Sequence, residues 1–169
     1  MLRDPISRFV SGFLHDERQG YPRWPKSWSP AERLAFERFA SPDDLARSLS
    51  STDTTRRQHA VEAMNELSHV RERMVDWFVS LDYARERLAD IWFIAFQESL
   101  AADFERLRGL LQLPEAVSLP GDEVRSNRAP RNDGALHEDA IANLKRWFSA
   151  DYALIALLAD RQQAGPEPR

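Results

Sequence analysis

The residues best suited to do chemistry lie at the start of the chain. Residues 3–13 read Arg-Asp-Pro-Ile-Ser-Arg-Phe-Val-Ser-Gly-Phe. Leu2 and Arg3 read as the end of a strand. Pro5 has the fixed φ of a first helical residue, and Ile6, Phe9, Val10 and Phe13 then repeat at helical spacing. Arg3 therefore leaves a strand end, and Ser11 sits two turns into the next helix. A helix N-terminus that follows a strand suits an anion, because free N–H groups and the helix dipole face it. Arg3 adds a bidentate charge and Ser11 a hydroxyl donor, so together they can clamp a phosphate. The same run also reads as an ordinary capped helix start.

Two histidines are candidates for proton transfer. An unperturbed imidazole titrates near neutrality, which suits removing a proton from an acceptor hydroxyl. His69 is the first candidate; its bland alternative is a helix histidine paired locally with Glu66 or Arg73. His15 is the second, four residues after Ser11 and on the same helical face. His59 and His137 read as surface positions. No pair of histidines has metal-ligand spacing with a carboxylate, so no metal is expected. The loop from Arg125 to Asn132 concentrates guanidinium groups. Asn127 and Arg128 in it could close over a nucleotide or meet an acidic glycan, or the loop could simply be solvated. Glu98 could orient arginines around a site or make a structural pair.

These groups must be positioned by mostly helical elements. A first helix ends by Gly20. Residues 20–29 form a loop with Tyr21, Trp24 and Trp28, which either pack on the domain or line a cleft. Ser29-Pro30-Ala31-Glu32 is a capping box with proline at the first helical position, and Ser41-Pro42-Asp43-Asp44 repeats the device. The segment Ser50-Ser51-Thr52-Asp53 is a polar connector and a further cap candidate. A long helix is expected over 54–79, a short turn over 82–89, a helix over 97–112 and a last helix over 136–161. Ile91 to Phe96 is a continuous apolar run of strand length, expected to be buried on both faces of a parallel sheet. Residues 113–135, rich in proline and glycine, read as a long irregular stretch.

Composition bounds the function. The 169 residues suit one domain, and 43% hydrophobic with 30% charged residues excludes wholesale disorder. Nothing approaches the run of about 18 apolar residues that spans a membrane. The absence of cysteine removes disulfides, thiolate nucleophiles and cysteine zinc sites, and fits a reducing compartment. No signal peptide is visible after Met1, so a cytoplasmic location is expected. A net charge of −4 argues against a nucleic-acid binder. Of 23 basic residues only Lys26 and Lys145 are lysines. That bias suits phosphate or sulfate recognition, and equally GC-rich codon usage.

The run containing Arg3, Pro5, Ser11 and Phe13 resembles the 3′-phosphate-binding motif of sulfotransferases. Ser68-His69-Val70-Arg71, Phe96-Gln97-Glu98-Ser99-Leu100, Asp103-Phe104 with Leu107, and Asp151-Tyr152-Ala153-Leu154 look like later parts of bacterial members, which are similar to the Golgi carbohydrate sulfotransferases of animals. The resemblance implies an α/β fold of the P-loop-containing nucleoside triphosphate hydrolase type. It also implies a donor, 3′-phosphoadenosine 5′-phosphosulfate (PAPS), whose 3′-phosphate Arg3 and Ser11 would hold. The family's Lys-x-Gly-x-Thr turn, which cradles the 5′-phosphosulfate, does not occur in the sequence.

The expectation is therefore the C-terminal part of a sulfotransferase domain over 1–161, truncated at its N-terminus and mostly helical, with a disordered tail over 162–169. The whole enzyme would move a sulfuryl group from PAPS to a hydroxyl or amine, on a carbohydrate or lipid, and release 3′-phosphoadenosine 5′-phosphate. This chain alone is expected to be inactive. The alternative is a non-catalytic helical module that binds a nucleotide or a partner.

Overall fold

The computed structural model describes residues 1–119 and 135–164. In chain order the helices are α1 (Pro5–Glu17), α2 (Pro30–Arg38), α3 (Pro42–Ser48), α4 (Thr54–Glu66), α5 (Ser68–Arg71), α6 (Leu81–Glu86), α7 (Leu100–Leu110), α8 (Glu138–Trp147) and α9 (Ser149–Ala164), with 3-10 turns at Val75–Phe78 and Leu88–Asp90. The chain divides into two compact units. One comprises Met1–Asp4, Met74–Arg128 and Ala150–Arg169; the other comprises Pro5–Arg73 and Ala129–Ser149.

The unit built around α1 to α5 and α8 is all-helical among its described residues. Three of its helices, α2, α3 and α4, begin at caps that the sequence marks. Ser29 Oγ accepts from the Glu32 N–H at 3.1 Å, and the Glu32 carboxylate accepts from the Ser29 N–H at 2.7 Å. Ser41 Oγ accepts from the Asp44 N–H, and Asp53 accepts from the N–H groups of Thr55 and Arg56. Each cap satisfies amides that the first helical turn leaves open. Phe9, Phe13, Phe39, Leu45, Met64, Leu67, Leu144 and Phe148 are fully buried and form the core. The buried Asn143 on α8 donates to Ala46 O (2.8 Å) and Ser50 Oγ (2.9 Å), so it satisfies carbonyl and hydroxyl groups at the end of α3.

The expected long helix over 54–79 is not formed. It breaks at Leu67, whose ψ of 119° is extended, restarts as the four-residue α5, and stops again at Glu72. The first break has a tertiary cause. The His69 N–H donates to Asp16 on α1, which replaces the bond back to residue 65 that a continuous helix would make. At the second break the Arg8 guanidinium donates to the Glu72 carbonyl.

The other unit carries the run that the sequence marks as a strand. Only its last residue pairs: Leu2 and Phe96 form one parallel bridge, with Leu2 N–H to Ala95 O and Gln97 N–H to Leu2 O, both 2.8 Å. No strand longer than this bridge exists among the described residues, so the expected α/β sheet is not formed there. Nor is the run buried on both faces; Ile94 alone is buried, and Trp92 is exposed. Its backbone groups are satisfied by side chains where a neighbouring strand would stand. Phe96 N–H donates to Asp103 on α7, and Ile94 O accepts from Arg106 on α7 and Gln162 on α9. Leu2, Met74, Val75, Ala84, Ile94, Leu154 and Leu158 make this unit's core. The expected last helix is two helices, interrupted at Phe148. α9 then runs to Ala164, beyond the residue at which the sequence reading ends it.

Candidate functional site

Arg3 and Ser11 belong to different units and are described separately. Arg3 is half-buried between two anchored neighbours. Leu2 is fixed by the bridge to Phe96. The Asp4 N–H donates to Glu98 Oε1 at 2.8 Å, and the Asp4 carboxylate accepts from the Tyr152 hydroxyl at 3.0 Å. In a continuing parallel ladder the Asp4 N–H would reach a backbone carbonyl; here the Glu98 side chain takes it. Glu98 thus pairs with the backbone of Asp4. Ser11 is half-buried on α1, and the first turn of α1 carries no acidic side chain to oppose an anion. Asn127 and Arg128 lie outside the described residues.

The two histidines meet. His15, near the end of α1, and His69, on α5, have ring centroids 4.3 Å apart, nearly edge to face. The partner of His69 is neither Glu66 nor Arg73 but Asp16, fifty-three positions away in the chain. Its Nδ1 lies 2.5 Å from Asp16 Oδ1, and its own N–H donates to Asp16 Oδ2 at 2.9 Å. Ser68 Oγ donates to Asp16 Oδ1 at 3.2 Å. The Asp16 side chain is 4% exposed and that of His69 49%. The bond from Asp16 raises the His69 pKa above its ordinary value, against the opposing effect of burial. Burial, with the charge of His69, lowers that of His15.

The loop that follows α1 holds this cluster. Gln19 and Gly20 both have left-handed φ, and the Gly20 N–H turns back to His15 O. The indole N–H of Trp28 donates to Asp16 O at 2.7 Å, and its ring stacks on Phe36. Trp28 therefore packs, whereas Tyr21 and Trp24 are exposed. Lys26 Nζ reaches Ser68 Oγ at 3.1 Å and Glu32 Oε1 at 3.2 Å. Burial pushes the Glu32 carboxyl up, but the Ser29 N–H, Lys26 and Ser68 outweigh it and hold its pKa down at about 2. Ligand atoms of His15, Asp16 and His69 lie within 4.8 Å of one another, a grouping that chain spacing did not foresee. His137 is a capping residue, accepting from the Asp139 N–H.

The model of the sulfotransferase family matches residues 1–155. The chain belongs to the sulfotransferase family. The match includes every residue of the Arg3-to-Phe13 run, both central histidines and Asp16. No curated protein and no solved structure matches it. Family membership carries with it sulfuryl transfer as the general activity and a P-loop-like fold as the general architecture. Among the described residues no helix is long and apolar enough to cross a membrane.

Proposed function

We propose that the chain takes the 3′-phosphate of PAPS through Arg3 and Ser11, with residues 1–161 contributing to a single sulfotransferase domain. The carrying observation is that the run with Arg3, Pro5, Ser11 and Phe13, which resembles the family's 3′-phosphate motif, lies inside the matched range. Each side chain is half-buried rather than sealed in its own unit, which supports the reading. PAPS would supply the sulfuryl group. The acceptor is a hydroxyl or amine, of carbohydrate or lipid chemistry. Its oxygen or nitrogen bonds to sulfur as the bond from sulfur to the 5′-phosphate oxygen breaks, and its proton passes to a base. His69 is our candidate for that base and His15 the second. Asn127 and Arg128 are candidates to cover the nucleotide. The cysteine-free composition supports a reducing, cytoplasmic setting.

The test is calorimetric titration with 3′-phosphoadenosine 5′-phosphate. Charge-assisted bonds contribute about 1.5–3 kcal/mol each, so Arg3→Ala should weaken binding roughly tenfold or more. Ser11→Ala should weaken it less, and His59→Ala should leave it unchanged. Failure of the unaltered chain to bind the nucleotide would sink the reading.

A second reading is a non-catalytic helical module that binds a nucleotide or a partner. It is favoured by the lysines. Neither lies in a Lys-x-Gly-x-Thr turn, and Lys26 is engaged by Glu32 and Ser68. Sulfuryl transfer rests mainly on positioning and electrostatics, so a chain without the cradle should bind and not transfer. Nucleotide binding without sulfation of any acceptor supports this reading; turnover by the 169-residue chain excludes it.

A further inference from the structure

We propose that Asp16 and His69 form a carboxylate–imidazole dyad in which Asp16 is the positioning residue, holding the Nδ1–H tautomer of His69 and leaving Nε2 as the proton acceptor. Its use toward a sulfuryl acceptor rests on the function proposed above; the dyad itself does not. The geometry carries it. Asp16 is buried, and both its oxygens are engaged on one short segment, by His69 Nδ1, the His69 N–H and the Ser68 hydroxyl. A carboxylate beside Nδ1 stabilises the tautomer that donates from that nitrogen. The imidazole is half exposed, with the His15 ring against it.

The backbone holds the pair in place. The Asp16 carbonyl is tied by the Trp28 indole, and α1 meets α5 closely because position 12 is glycine. A Cβ there would lie 3.0 Å from the His69 carbonyl oxygen. The groups acting on the ring are Asp16 and His15 from α1, Lys26 from the loop, and Glu72 at the end of α5. The two acids favour the imidazolium and Lys26 opposes it. Nε2 therefore accepts a proton only above a midpoint higher than that of a free histidine.

The grouping of His15, Asp16 and His69 makes a divalent metal the competing occupant. Ligands around a tetrahedral zinc at about 2.1 Å stand about 3.4 Å apart. Nδ1 and Oδ1 at 2.5 Å are at the distance of a shared proton, so the dyad is the arrangement the structure favours.

Long-range proton–nitrogen NMR of the histidine rings, followed from pH 5 to 9 on the whole chain, tests this without requiring turnover. The expected result is the Nδ1–H tautomer for His69 and a midpoint above the ordinary histidine value. In Asp16→Asn the midpoint should fall and the Nε2–H tautomer should appear, while Asp16→Glu should restore part of both. If Asp16→Asn does not fold, the tautomer of the unaltered chain decides alone. An Nε2–H tautomer there overturns the proposal, as does an unmoved midpoint in folded Asp16→Asn. One-to-one zinc binding at micromolar concentration that perturbs both rings and is lost in His15→Ala would also overturn it, in favour of a metal centre. Titrating 3′-phosphoadenosine 5′-phosphate into the same samples separates the two ideas. An intact dyad with no nucleotide binding refutes the sulfotransferase reading alone.

Discussion

Glu32→Gln removes a charge whose energetic role can be sized from the structure. The Glu32 carboxylate closes the capping box of α2 and pairs with Lys26, and its side chain is only 4% exposed. Its pKa is held down from 4.5 to about 2. At about 1.4 kcal/mol per unit, that depression corresponds to about 3 kcal/mol as an upper bound. The sign follows from linkage. A carboxyl depressed in the folded state contributes its full stability above the unfolded value of 4.5 and loses it as pH falls toward 2. Lys26 is 60% exposed, so its share is screened by salt, and the share from the Ser29 N–H remains. Glutamine keeps one acceptor for that N–H but cannot titrate. Urea unfolding at half-unit steps from pH 7 to 2 should show Glu32→Gln less stable at neutral pH, by up to about 3 kcal/mol. The two curves should converge between pH 4.5 and 2. Parallel curves over the whole range would refute the argument, because the carboxyl would then have the same affinity for protons folded and unfolded.

Two further substitutions test how the elements are held. Gly20→Ala should cost at least about 2 kcal/mol in urea unfolding. The position has φ +73°, and a Cβ there would sit 2.0 Å from the Trp24 carbonyl oxygen; an unchanged midpoint would mean that the loop after α1 takes another path. Asp103→Ala strips the acceptor from the half-buried Phe96 N–H, at a cost of about 1–3 kcal/mol for the amide left unpaired, and removes one partner of Ser99 Oγ and of Gln162 Nε2. Hydrogen exchange at the Phe96 amide should accelerate in that variant, and an unchanged rate would show that the amide has another partner.

What the sequence disclosed was local. The caps at Ser29, Ser41 and Asp53 are legible because a cap is made by residues two or three positions apart. The helix that follows Arg3 and Asp4 is legible for the same reason, since its proline start and apolar spacing are local. The breaks within the expected helices were not legible. Nothing near Leu67 forbids helix; the cause is a carboxylate on another helix. The run at 91–96 misled because apolar continuity fixes neither how deeply each residue is buried nor the identity of the hydrogen-bond partner. A strand and a segment propped by Asp103, Arg106 and Gln162 have the same hydropathy, and those polar side chains lie on helices elsewhere in the sequence. Asp16 was missed outright. In sequence it is one acidic residue among Leu-His-Asp-Glu, and only the fold brings it to His69.

Asp16 also shows why structural and functional roles need not be separable in this chain. The contact that ends α4 and restarts the chain as α5 is made by the same carboxylate that fixes the His69 ring. A continuous helix over 54–79 would satisfy the His69 N–H internally, leaving the buried Asp16 without that donor. Breaking the helix frees the N–H for one oxygen, Ser68 and Nδ1 take the other, and the desolvation of the carboxylate is offset by three donors. The interruption that looks like a defect in a helix is thus the condition for burying an acid beside a histidine. Gly12 belongs to the same arrangement, because only a residue without a Cβ lets α1 approach the His69 carbonyl without displacing it.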